Sequence, residues 1–399
     1  MIQIEEQAKE VLKKVEQHHF EAYFVGGCVR DTLLNKQLKD IDIATSARPE
    51  QVMKIFDHVI PVGIEHGTVI VRHKGVSYEV TTFRSETSYS DQRHPDEVVF
   101  ITSIEEDLAR RDFTMNAMAM NRHGQLVDPF SGQHDLQTQI IRTVGRPEER
   151  FQEDSLRIIR ALRFSSQLGF SIDKATQKQM YELKQQLEQV SVERITEEMS
   201  KFFQGEYITK GLQYLQQTKI VEHLPIFKND SNLSNHLTHI TTPFLSFAEV
   251  IAFLHLKKEQ HTIDTWIKAW KCSNKQKAVA NQLVMAIKHI EQHQLDNWVV
   301  YRLETQNIEM FVHLIRHVMP EESLTTQQML DWKESLPIQS RKDVCINGLF
   351  IANLFPGYQK GAWIGRLLNE IEYQIVMGEM HNTKIEVKEW IQCHPPVEN

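Results

Sequence analysis

The chain has 399 residues, of which 41% are apolar and 25% charged, so it can form roughly two to four domains with a sizeable core. No apolar run reaches the roughly 18 residues that span a membrane, the N-terminus is unlike a signal peptide, and the four cysteines are scattered, which together predict a cytoplasmic protein without a membrane segment. The net charge of −8 excludes a surface that is basic throughout, but a local basic groove could still bind nucleic acid.

The first part of the chain, residues 1–143, is predicted to be a mixed α/β unit. Apolar residues at helical spacing indicate helices at 2–18, 29–34 and 49–56. β-branched and apolar runs predict strands at 23–25, 41–44, 68–72, 76–83, 98–102, 118–120 and 126–127. Lys74-Gly75 is a hairpin signal between two of these strands. The polar stretch 84–97 has no periodicity and predicts a mobile loop.

The rest of the chain is predicted to be helical, because strand signals disappear after Ile140–Thr143. Helical periodicity marks segments near 148–168, 174–188, 192–203 and 207–218. Breaks between helices are expected at Pro243-Phe244, Pro320-Glu321 and Pro356-Gly357. The predicted fold class is therefore α+β, with an α/β head followed by a long all-helical portion.

Two motifs near the N-terminus predict a site for a nucleoside triphosphate. Gly26-Gly27 follows the first strand, where the absence of Cβ atoms lets backbone N–H groups approach a phosphate. Asp40 and Asp42 are two residues apart on the next predicted strand, so both side chains point to one face and can hold a hard cation such as Mg²⁺. Each motif alone also fits an ordinary turn or surface strand, but their order and closeness favour metal-assisted phosphoryl transfer.

Further polar residues of the head could complete this site. Glu79 lies one hairpin away from the aspartates and could be a third carboxylate or could form a cross-strand salt bridge. Arg110 and Arg111 stand beside Asp112 and Asn116, and forked donors next to acceptors suit a sugar hydroxyl and a triphosphate. A helix-end salt bridge is the alternative for this second segment.

The stretch 153–163 is predicted to select the base of the nucleotide. On one continuous helix, side chains three residues apart differ by about −60° in their direction around the helix axis, so Asp154, Arg157 and Arg160 would share one wall. Arg163 would point about 180° away from Asp154. Cytosine and adenine present an amino donor beside a ring-nitrogen acceptor, which an Asp and an Arg can match, whereas uracil and guanine present the reverse pattern. The alternative is a solvated salt-bridge ladder, and the upstream phosphate motifs favour base recognition.

The order of these motifs resembles the class II tRNA nucleotidyltransferases, in particular the bacterial CCA-adding enzymes. The resemblance rests on Gly26-Gly27-x-x-Arg30-Asp31, Asp40-x-Asp42, Arg110-Arg111-Asp112-x-x-x-Asn116, Glu153-Asp154-x-x-Arg157-x-x-Arg160 and Val190-Ser191-Val192-Glu193-Arg194. In the helical remainder, the recognisable pieces are 346–348 and 365–382.

This resemblance implies an enzyme that adds C, C and A to the 3′ end of tRNA from CTP and ATP, without a nucleic-acid template and with release of pyrophosphate. Asp40 and Asp42 would bind two Mg²⁺ ions. The triphosphate and ribose would be bound by Gly27, Arg30, Arg111, Asp112 and Asn116. The base would be recognised by Asp154 and Arg157, with support from Arg160 and Arg163. A loop at 89–95, with Asp91 and Arg93, resembles the flexible loop with which such enzymes switch to ATP.

The resemblance also implies a division into four parts. These are a nucleotidyltransferase head at 1–143, a neck at 144–205 that recognises the base, a body at 206–320, and a tail at 321–399. The tail would bind the acceptor and T arm of tRNA. The sequence leaves the oligomeric state open, a homodimer included.

Three other functions are alternatives to CCA addition. A poly(A) polymerase and a CC- or A-only-adding enzyme share the head, but the segment 62–68 resembles the CCA-adding pattern. An RNA-binding protein that has lost catalysis is the alternative of a different class. The intact Asp40 and Asp42 argue against it.

Overall fold

The structure is a computed structural model that describes residues 6–38, 40–87, 97–258, 260–321 and 323–395. Its chain divides into two compact units, of which the first ends at Pro243 and the second begins at Phe244. This boundary coincides with the helix break predicted at Pro243-Phe244. No helix of the described ranges is both long and apolar enough to cross a membrane.

The first unit contains the strands of the described chain. They are β1 (Ala22–Val25), β2 (Asp42–Thr45), β3 (Val59–Pro61), β4 (Thr68–His73), β5 (Val76–Thr82), β6 (Arg84–Thr87), β7 (Glu97–Phe100), β8 (Ala119–Met120), β9 (Leu126–Val127), β10 (Ile140–Ile141) and β11 (Ser171–Ile172). Seven of them form one mixed sheet in the order β3-β4-β5-β2-β1-β8-β9. In this sheet β2 and β5 pair in parallel, which places the start of β2 beside the middle of β5.

The helices predicted for the first unit are largely present, although the one predicted over 148–168 is interrupted. The helices of this unit are α1 (Glu6–Glu16), α2 (Gly27–Leu33), α3 (Pro49–Ile55), α4 (Ile104–Ala109), α5 (Gly132–Gln137), α6 (Pro147–Glu153), α7 (Leu156–Leu168), α8 (Lys174–Leu183), α9 (Val192–Phe203) and α10 (Ile208–Gln217). In α1, for example, the residues at helical spacing are the buried ones: Ala8, Val11, Leu12 and Val15.

Small residues bring α7 close to the chain around α10. A Cβ on Gly205 would lie 2.1 Å from the Ser166 hydroxyl oxygen, and one on Gly211 would lie 2.7 Å from the Phe202 ring. The hydroxyl of Ser166 donates a hydrogen bond to the carbonyl oxygen of Phe202. This close packing fixes α7 against α9, and α7 carries Arg157, Arg160 and Arg163.

The prediction of a loop over 84–97 is wrong at both ends. β6 and β7 pair antiparallel, from Arg84 opposite Phe100 to Thr87 opposite Glu97. The alternation of apolar and polar residues that marks a half-buried strand is absent from Arg84-Ser85-Glu86-Thr87, so the pattern could not indicate this hairpin arm. Residues 88–96 lie outside the described part of the chain. The expectation that strands end at Thr143 is also wrong, because β11 pairs in parallel with β10.

In the second unit, the regular secondary structure of the described residues is helical. Its helices are α11 (Phe247–Lys257), α12 (Ile263–Ala269), α13 (Asn274–His293), α14 (Asn297–Arg302), α15 (Ile308–Val318), α16 (Thr326–Ser335), α17 (Gly348–Leu354), α18 (Ala362–Met377) and α19 (Lys384–Cys393). Polar side chains cap most of their N-termini, as Ser273 does for α13. The breaks predicted at Pro320 and Pro356 fall between helices.

Candidate active site

A cavity of about 510 Å³ lies in the first unit, where the sheet meets α7. Its lining is strongly charged and consists of Gly26, Gly27, Arg30, Asp42, Arg110, Arg111, Asp112, Asn116, Asp154, Leu156, Arg157, Arg160, Arg163, Phe164, Gln167 and Arg194. Ten of the predicted site residues are therefore brought together, from segments as far apart as α2 and α7. Asp40 and Glu79 are not among the lining residues, and Asp91 and Arg93 lie outside the described residues.

The turn between β1 and α2 requires glycine at its first position. Gly26 has φ 69° and ψ −129°, a conformation that residues with a Cβ rarely adopt. A Cβ there would also lie 3.0 Å from a terminal nitrogen of Arg111 and 4.0 Å from a carboxylate oxygen of Asp42. The glycine therefore lets a guanidinium and a carboxylate meet beside the backbone.

The predicted metal-binding carboxylates lie at the start of β2. Asp42 is the first residue of the strand and lies directly opposite Glu79 in the parallel register, while Asp40 is exposed just before it. Burial raises the pKa of Asp42, Glu79 and Asp40 raise it further, and Arg111 opposes them. The residues directly opposite Glu79 are Asp42 and Ile70, so neither is a basic partner for the predicted cross-strand salt bridge.

Asp112 is the centre of a hydrogen-bond network among residues that line the cavity. Its Oδ2 accepts hydrogen bonds from Nε and a terminal nitrogen of Arg160 at 2.8 and 2.5 Å, and its Oδ1 accepts one from the Asn116 amide at 3.1 Å. Arg30 donates to the Asn116 carbonyl oxygen at 2.7 Å. Burial alone would raise the pKa of Asp112, but Arg160 and Asn116 hold it well below its usual range.

The ring of Phe164 contacts three of the arginines, a role that no pattern in the sequence indicates. The guanidinium carbons of Arg163, Arg30 and Arg160 lie 4.2, 5.2 and 5.5 Å from the centre of its ring. Guanidinium groups are attracted to an aromatic face at these distances. Burial lowers the pKa of Arg163 to about 10, and the ring helps to keep the clustered cations in place.

Asp154 reaches the cavity by a different route from the predicted one. The helix expected over 148–168 is interrupted, because α6 ends at Glu153 and Asp154 is extended, with φ −148° and ψ 103°. Its Oδ1 accepts the Leu156 backbone N–H at 3.1 Å, as a cap at the start of α7. The predicted helical wall is therefore wrong for Asp154, although Asp154 and Arg157 both line the cavity.

Arg157 and its neighbours are held by backbone and acidic partners. A terminal nitrogen of Arg157 donates to Glu153 Oε2 at 2.6 Å, and the other donates to the carbonyl oxygen of Arg110 at 3.1 Å. This second contact links α7 directly to the segment that carries Arg111.

Two buried acids that sequence reasoning missed support these arginines. Asp107 is 1% exposed and accepts hydrogen bonds from Arg110 at 2.9 Å and from Arg111 at 3.2 Å. Glu198 of α9 is 6% exposed, and its carboxylate lies 2.8 Å from Arg163 and 3.5 Å from Arg160. In the sequence both acids look like ordinary residues of a surface helix, and their partners are set by tertiary packing.

The fold and the cavity agree with the known proteins that this chain resembles. Family models match at residues 22–142, described as a poly A polymerase head domain, at 169–230, described as a probable RNA and SrmB-binding site of polymerase A, and at 244–391, described as a putative tRNA nucleotidyltransferase domain 2. A CCA-adding enzyme of Oceanobacillus iheyensis is 46% identical over 393 residues, which cover 98% of each chain. The chain belongs to the CCA-adding enzyme family.

Other members of the CCA-adding enzyme family agree over nearly the full length. A relative from Staphylococcus saprophyticus is 40% identical over 398 residues, which cover 97% of this chain and 98% of the relative. The crystal structure of the Bacillus stearothermophilus CCA-adding enzyme in complex with CTP has a TM-score of 0.88 at 34% identity, and the match covers 98% of this chain and 97% of that one. The Thermotoga maritima enzyme complexed with tRNA shares the fold, with a TM-score of 0.60 at 20% identity. The predicted family, fold class and enzyme class, a nucleotidyltransferase, are confirmed.

Proposed function

We propose that this enzyme adds C, C and A to the 3′ end of tRNA from CTP and ATP, at the cavity between the sheet and α7. One observation carries the proposal: three kinds of group line the same cavity. They are a carboxylate suited to binding a metal ion, Asp42, several arginines suited to a triphosphate, and the pair Asp154 and Arg157. In this reaction the 3′-hydroxyl of tRNA attacks the α-phosphate of the nucleotide, and pyrophosphate leaves.

The residues at the start of β2 fit Mg²⁺. Asp42 is surrounded by the negative charges of Asp40 and Glu79, and an oxygen-ligated cation would relieve their repulsion. Asp40 and Asp42 are the residues proposed to hold two ions. Bound Mg²⁺ supplies positive charge to the transferring phosphoryl group and to the attacking and leaving oxygens.

The arginines around Gly26 are proposed to hold the triphosphate. Arg111 lies beside both Gly26 and Asp42, and Arg30 is fixed by Asn116 on one side and by Asp31 on the other. Guanidinium groups in fixed positions bind phosphate oxygens with two parallel hydrogen bonds and need little reorganisation when the nucleotide arrives. Asp112 and Asn116 are proposed to contact the ribose.

Asp154 and Arg157 are proposed to select cytosine and adenine. Asp154 accepts from the exocyclic amino group, and Arg157 donates to the adjacent ring nitrogen, an arrangement that uracil and guanine cannot satisfy. Leaving buried polar groups unpaired is what rejects the wrong base. Arg160 and Arg163 support the pair from α7, the helix that carries Arg157. Asp91 and Arg93 are proposed to take part in the switch to ATP.

The helical second unit, with the end of the first, is proposed to bind the tRNA acceptor and T arm in the cytoplasm. The match at 169–230 to a probable RNA-binding region and the tRNA complex of the Thermotoga maritima enzyme support this part of the proposal. The division into neck, body and tail at residues 205 and 320 stays a prediction.

The deciding experiment incubates the purified protein with a tRNA that ends at the discriminator base and with all four nucleoside triphosphates. Sequencing of the products separates CCA addition from CC, A or poly(A) addition. We expect CCA from the wild type and no extension by Asp40→Ala, which should still bind tRNA. A poly(A) tail, or a wild type that binds tRNA without extending it, would establish one of the alternatives instead.

A further inference from the structure

A second cluster of metal-ligand side chains lies in the second unit and takes no part in the proposed reaction. Glu249 on α11 faces His313 and His317 on α15, and one ligand atom of each lies within 4.8 Å of the others. His313 and His317 are four residues apart on one helix, the spacing that puts two imidazoles on the same face and that zinc-binding helices use. We propose that Glu249, His313 and His317 bind one Zn²⁺ ion that joins α11 to α15.

The carboxylate of Glu249 is already oriented as a ligand would be. Glu249 is fully buried, and its Oε2 accepts the Leu245 backbone N–H at 2.8 Å. Its Oε1 lies 2.5 Å from Nδ1 of His313, so this oxygen and this imidazole already share one proton. A metal ion would take the place of that proton and release it to solvent, as ligation by carboxylate and imidazole requires.

His317 supplies the third ligand, and the centre of its ring lies 4.9 Å from that of His313. Phe244 stacks on the imidazole of His317 with ring centres 4.5 Å apart, which fixes the plane of the ring. A fixed, neutral imidazole can present a nitrogen lone pair to a metal ion.

The donor set selects the kind of metal. Two imidazole nitrogens and one carboxylate oxygen suit Zn²⁺, whereas Mg²⁺ prefers oxygen ligands alone. Zn²⁺ is usually four-coordinate, and a water molecule completes such a set of three protein ligands. His313 and His317 are only partly buried, so water can reach this fourth position.

The test uses the full-length, tag-free protein, stripped of metal with a chelator and kept in excess Mg²⁺ to occupy oxygen-ligand sites. Zn²⁺ is titrated by calorimetry, and Co²⁺ is used as a spectroscopic probe of four-coordinate geometry. The wild type should bind one equivalent of Zn²⁺, with a rise in the melting temperature of the second unit, because binding to the folded state alone stabilises it.

His317→Phe removes the ligand but keeps an aromatic ring against Phe244. We expect this variant to fold, as tryptophan fluorescence can check, and to lose at least tenfold in Zn²⁺ affinity together with the Co²⁺ absorption. His293→Ala is the matched control, because His293 is an exposed histidine of the same unit whose ring lies 4.9 Å from that of His289. Absence of Zn²⁺ binding by the wild type, unchanged binding by His317→Phe, or loss of binding in His293→Ala would each overturn the proposal.

Discussion

Both terminal nitrogens of Arg194 donate hydrogen bonds to the carboxylate of Asp154, one to Oδ1 at 3.2 Å and the other to Oδ2 at 2.8 Å. Oδ1 also accepts the Leu156 backbone N–H. A carboxylate can accept about four hydrogen bonds, so three of these positions are filled by the protein and one stays open for an amino group of a base. We therefore expect Arg194 to act on the base through Asp154, as a positioning residue.

Replacing Arg194 should weaken nucleotide selection without removing the chemistry. For Arg194→Met we expect kcat/KM for CTP and ATP to fall by about tenfold to a hundredfold, since hydrogen bonds to charged groups contribute about 1.5–3 kcal/mol. The fall should appear mainly in KM, together with increased incorporation of UTP, in a steady-state assay on a tRNA primer. Arg146→Met is the control, because Arg146 is a highly exposed arginine paired with Glu148 and Glu149. Unchanged UTP discrimination in Arg194→Met would contradict the positioning role.

Asp42 on β2 and Glu79, opposite it on β5, should differ in their importance for catalysis. Asp42→Asn should lower kcat by about a thousandfold or more, because metal ions contribute several kcal/mol to such a transition state. Glu79→Gln separates the two interpretations of Glu79, since a metal ligand would also be costly to remove. If Glu79 only repels Asp42, its loss should lower the pKa of Asp42 and shift the acid limb of the rate profile to lower pH. Rates at several Mg²⁺ concentrations and pH values distinguish these outcomes.

How much of this site follows from the sequence depends on the distance over which each feature is determined. Gly26, Arg30 and Asp42 are set by local geometry, a tight turn after one strand and the start of the next, and local patterns predict them. Asp154 could not be placed, because its spacing from Arg157 is the same whether the helix is continuous or interrupted. The interruption is stabilised by Arg194, which is 40 residues away in the chain.

The burial of Asp107 and Glu198 also could not be predicted from local sequence patterns. Asp107 stands in the run Glu105-Glu106-Asp107, and nothing in that run tells which acid is buried. Its partners Arg110 and Arg111 are near in sequence, but the burial that makes Asp107 need these partners comes from packing in three dimensions. Glu198 likewise gains its role only because α9 packs on α7.

Gly26→Ala should damage catalysis more than stability. The conformation of Gly26 costs a residue with a Cβ about 1–3 kcal/mol, and the added methyl would meet Arg111 at 3.0 Å. Gly124 gives a matched control, because it also has a positive φ, of 83°, but a Cβ there would meet nothing within 4 Å. We expect both variants to lose stability, while only Gly26→Ala raises KM for the nucleotides. Equal activity of the two variants in the tRNA extension assay would mean that the approach to Arg111 is unimportant.

Asp112→Asn should make the first unit less stable at neutral pH and less sensitive to acid. The pKa of Asp112 is held below its unfolded value of about 3.9, so its ionised form stabilises the folded state above that value, and this contribution is lost as the pH falls toward the lower folded-state pKa. Breaking a buried ion pair costs about 3–5 kcal/mol, and Asn keeps one acceptor, so we expect a loss of about 2–4 kcal/mol at pH 7.

Urea unfolding at pH 7, 5, 4 and 3 should therefore show the free energies of unfolding of wild type and Asp112→Asn converging as the pH falls. The six tryptophans all lie in the second unit, so their fluorescence reports that unit, whereas far-UV circular dichroism reports both. The change should appear in circular dichroism and leave the fluorescence transition in place. A difference between the two proteins that stays constant from pH 7 to pH 3 would mean that the charge of Asp112 does not stabilise the fold.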